Sequence, residues 1–138
     1  MADATTSQTI QDGGRNLIMK FTNVSDGTGQ SAATLVDVSG LNANPTTGAA
    51  CSRIVLQRMW FSNVGMGFKL FWNASTNMFI AQAPKDWTDT WDFTSSSEDL
   101  SGIPNNAGSG INGDIDLTTH GHTNHDHYTI VLQLRKTF

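Results

Sequence analysis

Four histidines lie within eight residues near the end of the chain, as two H-x-H pairs, His120/His122 and His125/His127. In an extended strand, residues i and i+2 point to the same side, so each pair could hold one ion. A trimer with one pair near its axis would supply six nitrogens, an octahedral set suited to iron or nickel. Both pairs in one protomer could instead form a four-nitrogen zinc site. Turn-forming residues separate the histidines, which favours a polar loop or strand start without a cofactor; a divalent metal is the alternative.

Two tryptophans, Trp87 and Trp91, lie among three aspartates in the stretch DWTDTWDF. Aromatic rings stack on sugars while carboxylates accept hydrogen bonds from sugar hydroxyls, so this stretch is a candidate sugar contact. The alternative is packing, the usual role of large aromatic side chains in a small β-protein. Trp60 and Trp72 lie within strand-like stretches, and we expect both in the core.

No nucleophile-elbow, phosphate-loop or zinc-protease motif occurs in the sequence. Asp114 and Asp116 have i, i+2 spacing, which exposed strand positions explain without a catalytic role. Cys51 is the single cysteine, so no intramolecular disulfide is possible, and we expect it to be a small buried apolar residue. The sequence therefore predicts a protein that is not an enzyme.

The composition restricts the partners of the protein. Hydrophobic residues make up 38% of the chain and charged residues only 14%, with a formal net charge of −4. Eight of the 12 acidic residues follow Lys85, an imbalance that disfavours binding to nucleic acid phosphates. No apolar stretch approaches membrane-spanning length, and the N-terminal residues lack a secretory pattern. We expect a protein that is made and stays soluble in a cytoplasm.

Short stretches of alternating apolar residues, separated by glycine-rich turns, predict about eight antiparallel strands. Residues 1–15 are polar and end near a diglycine, which predicts a flexible, extended arm. Residues 16–138 are predicted to form a single β-sandwich, with a jelly roll as one arrangement. The stretches are NLIMKFT, ATLVDVSGL, RIVLQRMWF, FKLFW, MFIAQA, the region around Trp91 and Phe93, DIDLTT and YTIVLQLR.

Three details of this arrangement are also predicted. In RIVLQRMWF, simple alternation places Ile54, Leu56 and Trp60 on one face, and Val55, Met59 and Phe61 on the other. This stretch, FKLFW and MFIAQA are expected to form a meander with tight connections. DIDLTT is expected to be an edge strand.

Four stretches resemble small all-β structural proteins of tailed double-stranded DNA bacteriophages: MADATTSQTIQDGGRNLIMKFTNVSDGTG, CSRIVLQRMWFS, GIPNNAGSGINGDIDLTT and GHTNHDHYTIVLQLRKTF. The resemblance spans nearly the whole chain but marks no catalytic residue. It implies a virion component assembled in the host cytoplasm. Within that setting it favours a cement, or decoration, protein that binds the major capsid protein and forms a homotrimer.

The arm supplies the candidate contacts with the capsid or with neighbouring subunits. An extended arm adds contact area without enlarging the core, and attachment at several lattice points multiplies modest contacts. Two alternatives remain: a neck, tail or spike component, and a sugar-binding module for host attachment. The candidate contact residues are Thr5, Thr6, Gln8, Ile10 and Arg15.

Overall fold

The computed structural model describes residues 4–94, 102–105 and 108–138. These residues form nine β-strands and one short 3-10 helix, Val38–Gly40. Among them, no helix is long and apolar enough to cross a membrane. The strands are β1 (Ala4–Asp12), β2 (Asn16–Asp26), β3 (Ala33–Val36), β4 (Arg53–Val64), β5 (Gly67–Trp72), β6 (Met78–Ala83), β7 (Thr88–Asp92), β8 (Ile115–His120) and β9 (Asn124–Thr137).

The strands form two antiparallel sheets. The five-stranded sheet has the order β1-β2-β9-β4-β7, and the four-stranded sheet has the order β3-β8-β5-β6. The hydrogen-bonded neighbours include β2 with β9, β3 with β8, β4 with β7, and β5 with β6. Strands β2 to β9 therefore pair as the two arms of one long hairpin would, and this hairpin is wrapped into two sheets. This is jelly-roll topology, with β1 added at one edge. The predicted all-β sandwich is confirmed.

The core lies between the inner faces of the two sheets, as alternation along the strands predicts. Ile54 and Leu56 of β4, and Ile130 and Leu132 of β9, are completely buried. Phe61 meets Phe68 of the facing sheet edge-on, with ring centroids 5.8 Å apart. Central strands of both sheets therefore supply the side chains that form this part of the core.

Cys51 is buried at the margin of this core, as predicted. Burial is the main cause that raises the pKa of its thiol above the usual value. The Sγ atom lies 3.2 Å from the carbonyl oxygen of Arg53. A protonated, buried thiol of this kind is a packing group.

A β-bulge in β4 changes which residues share a face. The register with β9 shifts between Leu56 and Arg58, so Gln57 is an extra residue in the strand. After the bulge, Met59 and Phe61 join Ile54 and Leu56 on the core face. The prediction that Trp60 is a core residue is wrong: Trp60 lies on the outer face and is 39% exposed. Trp72 is buried, as predicted.

The N-terminal residues differ from the predicted flexible arm. Residues 4–12 form β1, which pairs with β2 from Ala4↔Val24 to Asp12↔Leu17. Ala4 to Gln11 are all exposed, so β1 contributes backbone pairing and almost nothing to the core. Their polarity suggested an unpaired arm, but ladder hydrogen bonds use backbone groups and do not require apolar side chains.

Two predictions about strand neighbours are wrong. β4 and β5 lie in different sheets, so only β5 and β6 pair as the predicted meander requires. β8 is an inner strand between β3 and β5 and is not an edge strand. Asp116 of β8 is only 2% exposed, because the loop after β5 covers it. Asn73 and Asn77 of that loop donate to Asp116 Oδ2 over 2.6 and 3.2 Å.

Candidate functional site

Strand β1 presents an open sheet edge. It is the terminal strand of its sheet, and no described strand pairs with its outer side. The eight residues from Ala4 to Gln11 carry no charged side chain, and Ile10 is 53% exposed at a bulge between Thr9 and Gln11. A long, uncharged edge is a template for strand pairing with another chain. Of the predicted contact residues, Thr5, Thr6, Gln8 and Ile10 lie on this edge.

Arg15, the fifth predicted contact residue, lies in the turn that joins β1 to β2. Its carbonyl oxygen accepts from the Lys136 backbone N–H over 2.7 Å. Its side chain is exposed and lines a cavity of about 570 Å³ together with Pro45, Val55 and Arg135. The structure thus places Arg15 at one end of the edge formed by β1.

The four histidines do not converge within a protomer. His120 ends β8, and Gly121, with φ of 67°, turns the chain before His122, so this pair does not share a strand face. His125 has a φ of 73°, which breaks the alternation with His127. Among the described residues, no three His, Cys, Asp or Glu side chains are grouped closely enough to hold a metal. The described residues therefore do not form the four-nitrogen arrangement that the sequence left open as an alternative, and a metal at the histidines stays a prediction.

Each of the first two histidines instead has a local polar neighbour. His120 Nε2 lies 3.4 Å from Gln82 Nε2, and His122 Nδ1 lies 3.3 Å from Thr119 Oγ1. The segment closes the turn from β8 and begins β9. These contacts describe a polar start to the last strand.

The predicted tryptophan pair is held by one carboxylate. Asp89 Oδ2 accepts from the indole nitrogens of Trp87 and Trp91 over 3.3 and 3.1 Å. The Thr90 backbone N–H, followed by the two indoles, lowers the pKa of Asp89. Trp91 is half-buried and packs edge-on against Phe61, with centroids 5.0 Å apart. Only Trp87, 52% exposed, presents much of its ring to solvent.

The outer face of the five-stranded sheet carries a second aromatic site, which the sequence did not reveal. Trp60 lies at its centre, opposite Thr90 of β7 and Val131 of β9. A groove of about 240 Å³ runs beside its ring. The adjacent polar residues Gln57 and Arg58 interrupt the apolar alternation of β4, and this is the signal that could have predicted the bulge. The groove is lined by Ile18, Arg58, Trp60, Thr90, Val131 and Gln133.

Arg58 is held beside Trp60 by an ion pair. Its Nε lies 3.3 Å from Asp92 Oδ2, and both side chains are about half exposed. At this exposure solvent screens the pair, and it contributes little to stability. It does orient the guanidinium and neutralise its charge at the rim of the groove.

No known family model matches the chain, and no curated protein matches its sequence. Solved structures of family 29 carbohydrate-binding modules are similar in fold. A mutant of one such module matches with a TM-score of 0.39 and 13% identity, over 97% of this chain and 93% of that one. Another structure of the family matches with a TM-score of 0.37 and 13% identity, over 97% and 90%. A third, a mutant in complex with mannohexaose, has a TM-score of 0.36 and 14% identity, over 98% and 79%. At these TM-scores the likeness carries no conclusion about what this chain binds or does.

Proposed function

We propose that this chain is a non-enzymatic structural protein of a tailed-bacteriophage virion. Its role is that of a cement protein that binds the outer surface of the major capsid protein lattice and stabilises the head. The observation that carries this proposal is the open edge of β1, because such an edge suits assembly with another chain. The sequence resemblance to phage structural proteins supplies the setting.

The chemistry of the edge supports strand addition. Backbone N–H and C=O groups on the outer side of β1 offer a row of hydrogen bonds to an extended segment of a partner. Proteins that remain monomeric usually protect such an edge with lysine, proline, a bulge or a covering loop. Between Ala4 and Gln11 there is neither lysine nor proline, and the bulge between Thr9 and Gln11 leaves Ala4 to Thr9 regularly paired. The partner in this proposal is the major capsid protein.

A homotrimer would strengthen this attachment. Each subunit would bring one β1 edge to the capsid, so three modest contacts would act together at a high effective concentration. The core lies between the two sheets and does not include the exposed residues of β1. Attachment therefore requires no rearrangement of the fold.

A neck, tail or spike component of the particle is the alternative within the same setting. An open edge serves that role equally well, so the two roles differ in copy number and not in chemistry. The sugar-binding alternative predicted from the sequence concerns Trp87 and Trp91, of which Trp87 presents more of its ring to solvent.

Binding to capsids that lack the protein tests the proposal. Deleting residues 1–11 removes the edge and retains Asp12, so we expect the isolated protein to keep its thermal midpoint within a few degrees and to lose cosedimentation with capsids. Gln8→Lys and Ile10→Lys should weaken binding, because a charged edge opposes strand addition. Ser31→Lys, which adds the same charge in an exposed loop, is the matched control and should bind normally. Unchanged capsid binding by the deletion variant would refute the role of β1.

A further inference from the structure

We infer that the outer face of the five-stranded sheet, centred on Trp60, is a carbohydrate-binding surface for an extended polysaccharide. This surface differs from the Trp87/Trp91 stretch and does not depend on the virion assignment. The inference rests on an exposed aromatic ring, a row of hydroxyl groups beside it, and a groove bounded by planar polar side chains.

The strand register places five hydroxyl side chains in one row across all five strands. Members of this row touch one another at both ends. The Thr6 and Thr22 hydroxyls are in contact, and Ser62 Oγ lies 3.1 Å from Thr88 Oγ1. With strands about 4.8 Å apart, the row is about 19 Å long, enough for several sugar rings. The row is Thr6, Thr22, Thr129, Ser62 and Thr88.

The next row on the same face contains the aromatic ring. Trp60 is 39% exposed there, and the groove beside it is about 240 Å³ in volume. Gln133 and Arg58 lie opposite each other in the row beyond, and both bound the groove. The row with Trp60 is Gln8, Lys20, Val131, Trp60 and Thr90.

These groups match the chemistry of sugars. Sugar rings have apolar C–H faces, which stack on an indole, and rims of hydroxyls that both donate and accept hydrogen bonds. Threonine and serine hydroxyls also donate and accept, whereas arginine donates and the glutamine amide does both. Because Asp92 neutralises Arg58, the groove requires no strongly charged ligand.

A protein partner fits this face less well. The centres of protein interfaces are enriched in aromatic and apolar residues and depleted of serine. The groove beside Trp60 has a mostly apolar surface, to which Ile18 and Val131 contribute, and the hydroxyl row flanks it on one side. An aromatic, apolar floor beside a row of hydroxyls matches the C–H face and the hydroxyl rim of a sugar chain, whereas the centre of a protein interface seldom carries such a row.

Affinity electrophoresis of the full-length protein tests the inference. The gels would contain hydroxyethylcellulose, glucomannan, xylan, dextran or bacterial O-chain polysaccharide, each in turn. We expect retardation by at least one polysaccharide, with Trp60→Ala weakening it by about tenfold or more, the effect of losing a principal contact. Trp60→Phe should retain part of the affinity, and Gln133→Ala should lose part of it. Phe79→Ala, which removes an exposed ring from the four-stranded sheet, is the matched control and should bind within about twofold of the parent chain.

Three results would overturn the inference. One is no retardation by any of the five polysaccharides. Another is that Trp60→Ala is retarded as strongly as the parent chain. The third is that Trp60→Ala abolishes binding to capsids and leaves polysaccharide binding intact, which would make this face a protein contact. Because Trp60 lies outside the core, its variants should fold, and an unchanged circular dichroism spectrum would verify this.

Discussion

At the scale of single residues, Asp12 and Lys136 join the first and last strands through an ion pair. The Lys136 side chain is 0% exposed and that of Asp12 is 13% exposed. The ammonium also donates to the Asn42 carbonyl oxygen over 3.0 Å, and Asn42 N–H donates to Asp12 Oδ2 over 2.9 Å. The buried lysine thus depends on one carboxylate for its charge balance.

We predict that removing the carboxylate costs more than removing the lysine charge. Asp12→Ala leaves an unpaired buried ammonium and should lower the free energy of unfolding by about 3–5 kcal/mol. Lys136→Met keeps the length of the side chain and leaves only the better-solvated carboxylate, so it should cost less than half as much. Urea unfolding measures both values. Equal losses would show that the two side chains act through packing alone.

Asp116 offers a second test at this scale. Asp116→Ala deprives the amides of Asn73 and Asn77 of their shared acceptor and should cost about 1–3 kcal/mol in urea unfolding. Asp92→Ala is the control, because Asp92 lies in a half-exposed, solvent-screened ion pair, and it should cost clearly less than Asp116→Ala. A loss at Asp92 as large as that at Asp116 would contradict the structural role given to the buried carboxylate.

The sequence could not reveal the burial of Asp116. Alternation along DIDLTT correctly placed Asp116 on the face opposite Ile115 and Leu117. Whether that face is open depends on the loop that carries Asn73 and Asn77, and this loop comes some forty residues earlier in the chain. Local periodicity predicts the face on which a side chain lies, but it contains no information about what covers that face.

At the scale of elements, β4 shows both what alternation predicts and where it fails. The apolar run from Arg53 to Phe61 predicted a strand, and Ile54 and Leu56 lie on the core face as expected. The bulge at Gln57 then exchanges the two faces, so Met59 and Phe61 are buried while Trp60 is exposed. The strand was predictable from the sequence, but the candidate binding site on its outer face was not.

β9 provides a test of the core with an internal control. Leu132→Ala should lower the free energy of unfolding by about 2–5 kcal/mol, because Leu132 is completely buried between the sheets. Leu56→Ala, on the neighbouring strand, should cost a similar amount. Val131→Ala removes an aliphatic side chain from the adjacent, outward position and should cost less than about 1 kcal/mol. A larger loss at Val131 than at Leu132 would mean that the two faces of β9 are assigned the wrong way round.

At the scale of the whole molecule, glycine-rich turns, few charges and short apolar alternations correctly predicted an all-β sandwich. The pairing partners of the strands were harder to predict from the sequence, because β4 pairs with β9 and β7, which are far away in sequence. Long-range pairing of this kind is specified by the packing of complete sheets and not by neighbouring residues. The meander through β4 and β5 was therefore mispredicted, although each strand in it was found.

The copy number of the chain in purified phage particles tests the central claim most directly. Quantitative mass spectrometry against the major capsid protein provides it, using particles banded on a density gradient. We predict a copy number of the same order as that of the major capsid protein, because a cement protein occupies repeated sites across the lattice. A handful of copies per particle would contradict the capsid role in favour of a neck, tail or spike role. Absence from the particles would contradict the assignment to the virion altogether.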